Sequence, residues 1–247
     1  MPETPETTPG QRRAITALLA ITVLVVVMDI TILNVALEDI QRGLDATNGE
    51  LQWSLNAYMI TFAAFIFTGG VCGDRFGRKR TLLAGLVVFG VGSALAATSG
   101  SIGQLIAWRT VMGVGAAVVP TVTLAIIINV FPPPERPKAI AAWAAAAGVA
   151  FAVGPVLGGL LLSVFSWGSV FLVNVPLVAV GVVLIARLVP ESKMPRAAPL
   201  DPARSGRARE RRRGTPPVVA PSSRTPADST SRSRTQPGSR AGSTAAA

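Results

Sequence analysis

Two oppositely charged residues, Asp29 and Arg109, lie inside long apolar stretches of this sequence. A charge within the hydrocarbon layer of a membrane costs a few kcal/mol, so it usually faces a cavity, pairs with an opposite charge or serves transport. At helical rise the two residues lie at similar depths, about 10–12 Å from the nearer ends of their stretches. We expect them to pair. A fixed neutralising ion pair fits this pattern, and so does a proton-responsive pair in which protonation of Asp29 releases Arg109.

Other kinds of chemistry lack the residues they need. The sequence has no histidine and a single cysteine, Cys72. This excludes a disulfide within the chain, a Cys/His zinc site and a His-based catalytic triad. Acidic residues lie mostly in the polar segments, and no pair of them shares an apolar surface. We therefore expect no enzyme activity and no metal or other cofactor, and a carboxylate is the group that would carry a proton.

The apolar stretches themselves predict the architecture. Crossing a bilayer takes about 20 mostly apolar residues in a helix. Six stretches qualify, at residues 14–37, 51–72, 81–98, 102–131, 139–162 and 169–189. The first is too long for a secretory signal and has no convincing cleavage site after it. Because half of the chain is hydrophobic and 15% is charged, we expect an all-α membrane protein with six transmembrane helices.

Charge is unevenly distributed along the chain. Residues 191–247 hold 12 Lys/Arg and 4 Asp/Glu, whereas residues 1–190 hold 11 and 9. Within the apolar part, cations concentrate at every second connection, in segments 1–13, 73–80, 132–138 and 187–196. The positive-inside rule then predicts a multi-pass protein of the cell (plasma) membrane with both termini cytoplasmic. The basic stretch 73–80 is thus expected to face the membrane surface, and nucleic acid is not an expected partner.

Small and polar residues within the apolar stretches suggest close helix contacts. Gly154 and Gly158 have the GxxxG spacing that lets helices approach in lipid, and Pro155 favours a bend. Tight packing and a specific gate both fit this segment. Asn34 and Asn174 each need a partner within an apolar helix, and we favour hydrogen bonds between helices over contact with a substrate.

The composition changes at about residue 203 to Arg, Ser, Pro, Thr, Gly and Ala, with almost nothing to bury. We expect residues 203–247 to form a disordered basic tail after a connector at 191–202. A frameshifted reading explains this composition, because a GC-rich gene read out of frame yields Arg, Pro, Ser and Ala. A basic tail that binds anionic lipid is the alternative.

Several motifs carry a resemblance to the major facilitator superfamily. The stretch GGVCGDRFGRKR resembles its loop signature, with Cys72 and Gly73 in place of the preferred Leu and Ala. The matching residues are Gly70, Asp74, Arg75, Gly77, Arg78, Lys79 and Arg80. MDITILNVAL resembles the first-helix motif of the fourteen-span drug:proton antiporters through Asp29, Thr31 and Asn34. IAWRTVMGVGAA, around Arg109, and WGSVFLVNVPL are similar to two further family motifs. GVAFAVGPVLGG resembles the antiporter motif, matching at Gly148, Gly154, Pro155, Gly158 and Gly159.

The resemblance covers about residues 14–200 and implies the N-terminal half of an exporter of small hydrophobic or cationic drugs. It implies a 3+3 inverted repeat, with spans one and four equivalent beside the pathway, and the proton gradient as energy source. The implied partners are the lipid bilayer, a small-molecule substrate, and a second transporter half or a second copy of the chain. Thr31, Asn34 and Asn174 are then candidates for polar cavity or packing residues. We expect the half to be inactive alone; a working homodimer and a non-transporting membrane assembly partner are the alternatives.

Overall fold

The computed structural model describes residues 9–191, and α-helices account for nearly all of them. They are α1 (Pro9–Leu44), α2 (Asn48–Phe76), α3 (Arg78–Ala97), α4 (Ile102–Val130), α5 (Arg136–Leu162), α6 (Ser169–Leu172) and α7 (Asn174–Leu188). No strand occurs in this part of the chain, so the all-α prediction is confirmed. The predictions for residues 1–8 and 192–247, which include the tail and most of the connector, lie outside the described residues.

Six helical segments are long and apolar enough to cross a membrane, with α6 and α7 together forming the sixth. At Val173 the sixth segment keeps helical dihedral angles (φ −60°, ψ −29°), but one regular helical hydrogen bond is missing there. Pro176 has no N–H to donate to the carbonyl of Leu172, four residues earlier, so the regular hydrogen-bond ladder loses a rung there. Asn174 follows Val173 directly and is the first residue of α7. The span predicted over 169–189 agrees with this sixth segment, Ser169–Leu188, and hydropathy gave no sign of the missing hydrogen bond.

The structure differs from the predicted boundaries most at the end of α1 and around residue 77. α1 continues from the predicted end at residue 37 to Leu44, and its last turns are stabilised by ion pairs from Arg42 to Glu38 and Asp39. Apolar content ends before this polar extension, so hydropathy missed it. The predicted loop at 73–80 is helical except for Gly77, which has a φ of 110° that glycine adopts readily.

Side-chain caps begin α2 and α4. Thr47 and Glu50 form a capping box at the start of α2, each side chain accepting a backbone N–H of the other. Ser101 caps α4 by accepting the N–H of Gln104. Such caps satisfy N–H groups that the helix itself leaves without partners. Short capped connections make consecutive spans run in alternating directions.

Contacts between connections show which of them share an end of the bundle. Arg12, at the start of α1, pairs with Glu135, just before α5. Lys79, at the start of α3, donates to the carbonyl of Ala186 in the last turn of α7. We call this end, which holds the cation-rich segments 10–13, 73–80, 131–138 and 186–191, the basic end.

The other three connections meet at the opposite end. A Cβ built on Gly43 would lie 2.5 Å from the indole nitrogen of Trp167, and one on Gly168 would lie 2.5 Å from the carbonyl oxygen of Ala97. The connections after α1, α3 and α5 are therefore packed against one another. The two sets of connections agree with six alternating crossings.

Helices α1 and α4 form the centre of the bundle and are its most buried spans. The most extensive contacts are α2 with α4, α1 with α5, and α3 with α4. Exchanging spans one to three with spans four to six converts the α1–α5 contact into the α4–α2 contact, as an inverted repeat requires. Helices α2 and α5 expose large apolar side chains along most of their length, including Phe67, Val71, Val156 and Leu160. These faces suit lipid or a partner helix.

Candidate functional site

The two charges predicted to pair are in contact at the centre of the bundle. The Nη1 atom of Arg109, on α4, lies 2.5 Å from Oδ2 of Asp29, on α1, and the side chains are 1% and 0% exposed. An unpaired charge at such a position is strongly destabilising. The ion pair therefore ties α1 to α4 across 80 residues of sequence.

The second oxygen of the Asp29 carboxylate is held from α7. Asn174 donates from Nδ2 to Oδ1 of Asp29 at 2.8 Å, and Nδ2 also lies 3.2 Å from Oγ of Ser93. Ser93 in turn donates to the carbonyl of Phe171 at 2.8 Å. The Oδ1 atom of Asn174 is buried without a hydrogen-bond partner in the described residues. Both carboxylate oxygens are thus occupied, while the amide keeps one free acceptor.

Arg109 is held from α2 as well as from α1. Its Nε donates to the carbonyl of Ser54 at 3.4 Å, and its guanidinium carbon lies 4.1 Å from the ring centroid of Tyr58. Tyr58 is fully buried, and its hydroxyl has no hydrogen-bond partner within residues 9–191. The aromatic face stabilises the cation, by about 2 kcal/mol when both groups are desolvated.

Protonation of Asp29 would affect Asp29 and Arg109 differently. A protonated Asp29 loses its Coulomb attraction to Arg109, whereas the Ser54 carbonyl and the Tyr58 ring still hold the guanidinium. The amide of Asn174 suits both states of the carboxyl, because Nδ2 can donate to a carboxylate and Oδ1 can accept from a carboxylic O–H. Arg109 therefore has partners on α2 that do not depend on the carboxylate of Asp29.

Two of the predicted antiporter-motif glycines bring α5 against α1 next to this site. A Cβ on Gly154 would lie within van der Waals overlap of the Thr31 hydroxyl, and one on Gly158 would lie 2.9 Å from Cγ1 of Ile32. The Thr31 hydroxyl is 3.0 Å from the carbonyl of Met28 and 3.4 Å from that of Ala150 on α5. Thr31 thus serves helix packing two residues after Asp29 on α1.

The other members of that motif are placed differently. Gly148 and Gly159 have no atom within 4 Å of a built Cβ among the described residues, so neither makes a close helix contact. Pro155 lies inside α5, which continues through it. The motif therefore has one packed face, formed by its two GxxxG positions.

Glycines of the span-four motif set the distance between Arg109 and Tyr58. A Cβ on Gly113 would lie 2.5 Å from the carbonyl oxygen of Tyr58, and one on Gly115 would lie 2.6 Å from that of Gly85. Only glycine allows α4 to approach α2 and α3 this closely. The close approach presents the ring of Tyr58 to the arginine one turn away.

The loop-signature residues form a separate cluster at the basic end. Arg78 pairs with Asp74 at 3.1 Å and donates to the carbonyl of Ala125 on α4 at 3.0 Å. The remaining contacts are Lys79 to Ala186, Arg80 to Glu191 at 3.5 Å, Arg75 over the ring of Phe76, and Gly70 beside Thr121. These residues join α2, α3, α4 and α7 and are not part of the buried ion-pair site.

Sequence reasoning missed three residues of this site, and the role of Asn34 stays a prediction. Asn34 is exposed and donates to the carbonyl of Ile30 in its own helix, and it makes no hydrogen bond to another helix within the described residues. Tyr58, Ser54 and Ser93 contact the charged pair or its amide partner and were not singled out. Tyr58 did leave a signal, because it is the single tyrosine of the sequence and lies within an apolar span.

Comparison with known proteins agrees with this architecture. Residues 19–233 match the family model of the Major Facilitator Superfamily. The chain is 42% identical over 202 residues to the multidrug efflux pump LfrA of Mycolicibacterium smegmatis, covering 81% of this chain and 40% of LfrA. It is 41% identical over 177 residues to the methyl viologen resistance protein SmvA of Salmonella typhimurium, covering 71% and 36%. The chain thus spans about two fifths of the length of these curated relatives.

Solved structures share the fold. The proton:xylose symporter XylE superposes with a TM-score of 0.68 at 17% identity, over 75% of this chain and 46% of XylE. A bacterial homologue of the human lysosomal transporter Spinster superposes with a TM-score of 0.62 at 18% identity, over 78% and 47%. With six apolar spans, an inverted repeat and a family match over most of its length, this chain is a multi-pass membrane protein that belongs to the Major Facilitator Superfamily.

Proposed function

We propose that this chain is the N-terminal half of a proton-coupled exporter of small hydrophobic or cationic compounds. The observation that carries the proposal is the fully buried Asp29–Arg109 pair, whose two members are held from different helices. Relatives described as a multidrug efflux pump and a methyl viologen resistance protein support the substrate class, since methyl viologen is an organic dication.

The proton would act on the contact between α1 and α4. When Asp29 is charged, the ion pair holds the two helices together, and Asn174 adds α7. Protonation removes the Coulomb attraction, while Arg109 keeps its contacts with Ser54 and Tyr58 on α2. Helix α1 could then move with α7 relative to α4 and α2. Such a two-state contact is what alternating access needs at the centre of one half.

The chain by itself is proposed to insert without exporting drugs. Alternating access moves two halves about a central site, and residues 9–191 supply six spans. The apolar faces of α2 and α5 are left uncovered in this structure and would meet the second half. We place the protein in the cell membrane with both termini, and therefore the basic end, in the cytoplasm.

Grafting tests the coupling role. Residues 1–190 would replace the matching segment of LfrA, and ethidium efflux would be measured with and without a proton gradient. We expect gradient-dependent efflux that Asp29→Asn abolishes, whereas Glu38→Gln, an exposed acid on the same helix, leaves it near the parent rate. Membrane levels of each variant, measured by immunoblot, exclude failed insertion. Normal coupling in Asp29→Asn would contradict the proposal.

The unfused 247-residue chain is the second arm of this experiment. We expect no efflux above its own Asp29→Asn control in cells that lack other pumps. Gradient-dependent export by this chain would show a working homodimer instead. A chain that inserts, but supports no export in either arm, would favour the non-transporting assembly partner.

Labelling tests the orientation. In a Cys72→Ser background, an impermeant thiol reagent added outside intact cells should modify Asn48→Cys and not Lys79→Cys. Asn48 is the first residue of α2, and Lys79 lies in the first turn of α3, just beyond the other end of α2. The reverse pattern would place the basic end outside.

A further inference from the structure

A pocket of about 570 Å³ lies between the first turns of α1 and α5 at the basic end, away from the Asp29–Arg109 site. Its outer part is lined by Arg12, Arg13, Lys138 and Glu135. The rest of its lining is mostly small apolar side chains, which include Ala17, Ala20, Ala139 and Ala142. The pocket therefore combines a charged rim with an apolar wall.

The rim has an excess of positive charge. Glu135 is neutralised by Arg12, at 3.1 Å from Nη1 to Oε2. Arg12 is largely covered, with a side chain 19% exposed and an Nε that has no hydrogen-bond partner within the described residues. Arg13 and Lys138 are exposed, and neither forms an ion pair in the described part of the chain. Two cations from two different helices thus remain available to a single anion.

The apolar wall leads from these cations toward the middle of the bilayer. Ala20 lies seven residues after Arg13 on α1, which is about 10 Å along the helix. Ala17 and Ala142 are exposed, so the groove between α1 and α5 is open in the chain as described. The rim lies at the end of the membrane span, where phospholipid headgroups are found. A molecule that fits would have an anionic head and a long apolar chain.

We propose that this pocket binds an anionic phospholipid, with the phosphate between Arg13 and Lys138 and one acyl chain along the α1–α5 wall. Cations that only set orientation need no particular neighbours. Here the cations Arg13 and Lys138 come from two different helices and line the same pocket, next to an apolar groove. Basic pockets between transmembrane helices bind anionic headgroups in this way.

The test uses the purified 247-residue chain in neutral detergent. Phosphatidylglycerol and phosphatidylcholine with identical acyl chains are titrated, and bound lipid is counted by native mass spectrometry. We expect preferential binding of phosphatidylglycerol. The Arg13→Gln/Lys138→Gln variant should lose roughly 10- to 30-fold in affinity, because each cation near an anionic lipid contributes about a factor of five.

Two further variants distinguish lipid binding in this pocket from general electrostatic attraction to the basic end. Arg75→Gln/Arg187→Gln removes the same charge from exposed positions at the same end and should change phosphatidylglycerol affinity less than about twofold. Ala17→Trp changes no charge but fills the groove at an exposed position, and it should weaken lipid binding. Thermal unfolding without added lipid checks that each variant is folded.

Three results would overturn the proposal. Equal binding of the two lipids would show that the rim does not recognise the headgroup. Equal losses in the two double variants would show general electrostatic attraction. Unchanged binding in Ala17→Trp would show that no acyl chain occupies the groove, and this variant remains informative even if the charge variants fold poorly.

Discussion

Two of the aspartate–arginine pairs in the described residues lie in very different surroundings. Asp29 and Arg109 join two helices and have side chains 0% and 1% exposed. Asp74 and Arg78 are four residues apart at the basic end, with side chains 42% and 13% exposed. The first pair lacks water to replace a lost partner, whereas the second has water, salt and, for Arg78, the carbonyl of Ala125. Removal of one partner should therefore strongly destabilise the protein in the buried pair and have little effect on stability in the partly exposed pair.

The largest effect is expected from removing one buried charge. Arg109→Gln leaves the Asp29 carboxylate without its counter-ion and should destabilise the folded chain by about 3–5 kcal/mol. Unfolding in detergent, followed by tryptophan fluorescence, measures this. The Asp29→Asn/Arg109→Gln double variant should recover part of the loss. If the single effects simply add, the two residues are not coupled and the comparison fails.

Packing next to the buried pair can be perturbed without changing a charge. Gly154→Ala places a methyl group against the Thr31 hydroxyl, and it should cost about 3 kcal/mol, near the top of the range for overpacking. Gly148→Ala, with no atom within 4 Å of its built Cβ, is the matched control and should be neutral or slightly stabilising. Equal effects would mean that α5 does not approach α1 at Thr31.

Substitutions of Tyr58 test whether its aromatic ring or its hydroxyl stabilises Arg109. Tyr58→Leu removes the aromatic face above Arg109, and it should cost about 2 kcal/mol. Tyr58→Phe keeps the ring and removes a buried hydroxyl that has no partner in the described residues, so it should be neutral or stabilising. A Phe variant as unstable as the Leu variant would show that the hydroxyl is hydrogen-bonded.

The smallest effect is expected at the basic end. Asp74→Asn should destabilise the chain by less than about 1 kcal/mol, because its pair with Arg78 is partly exposed. Repeating the measurement at about 1 M salt, where the Debye length is about 3 Å, should reduce even this difference. A loss as large as that of Arg109→Gln would remove the contrast between the two pairs.

Sequence reasoning predicted the spans and the buried pair for clear physical reasons. Twenty apolar residues have few alternatives to a membrane helix, and single charges such as Asp29 and Arg109 stand out within them. It could not predict which faces meet, because α4 is apolar on all sides and has no stripe that marks its contacts. Tyr58 and Ser93 were therefore missed.

The predicted ends of the apolar spans differ from the ends of the helices where a polar segment is still helical. The end of α1 at Leu44 is charged but still helical, and Gly77 alone separates α2 from α3. The motif glycines show the same limit. Gly154 and Gly148 are chemically identical, and only the register of α5 on α1 decides that one is packed and the other is open.

The ion pair also has a consequence for how the chain is made. Asp29 leaves the ribosome 80 residues before Arg109, and at about 5–20 residues per second it waits roughly 4–16 s for its counter-ion. Asn174 follows later still, 145 residues after Asp29. During that interval α1 must enter the bilayer with an unmatched carboxyl group, or remain beside the insertion machinery until α4 arrives. The long run of Leu, Ile and Val on α1 is what would allow it to insert first and find its partner afterwards.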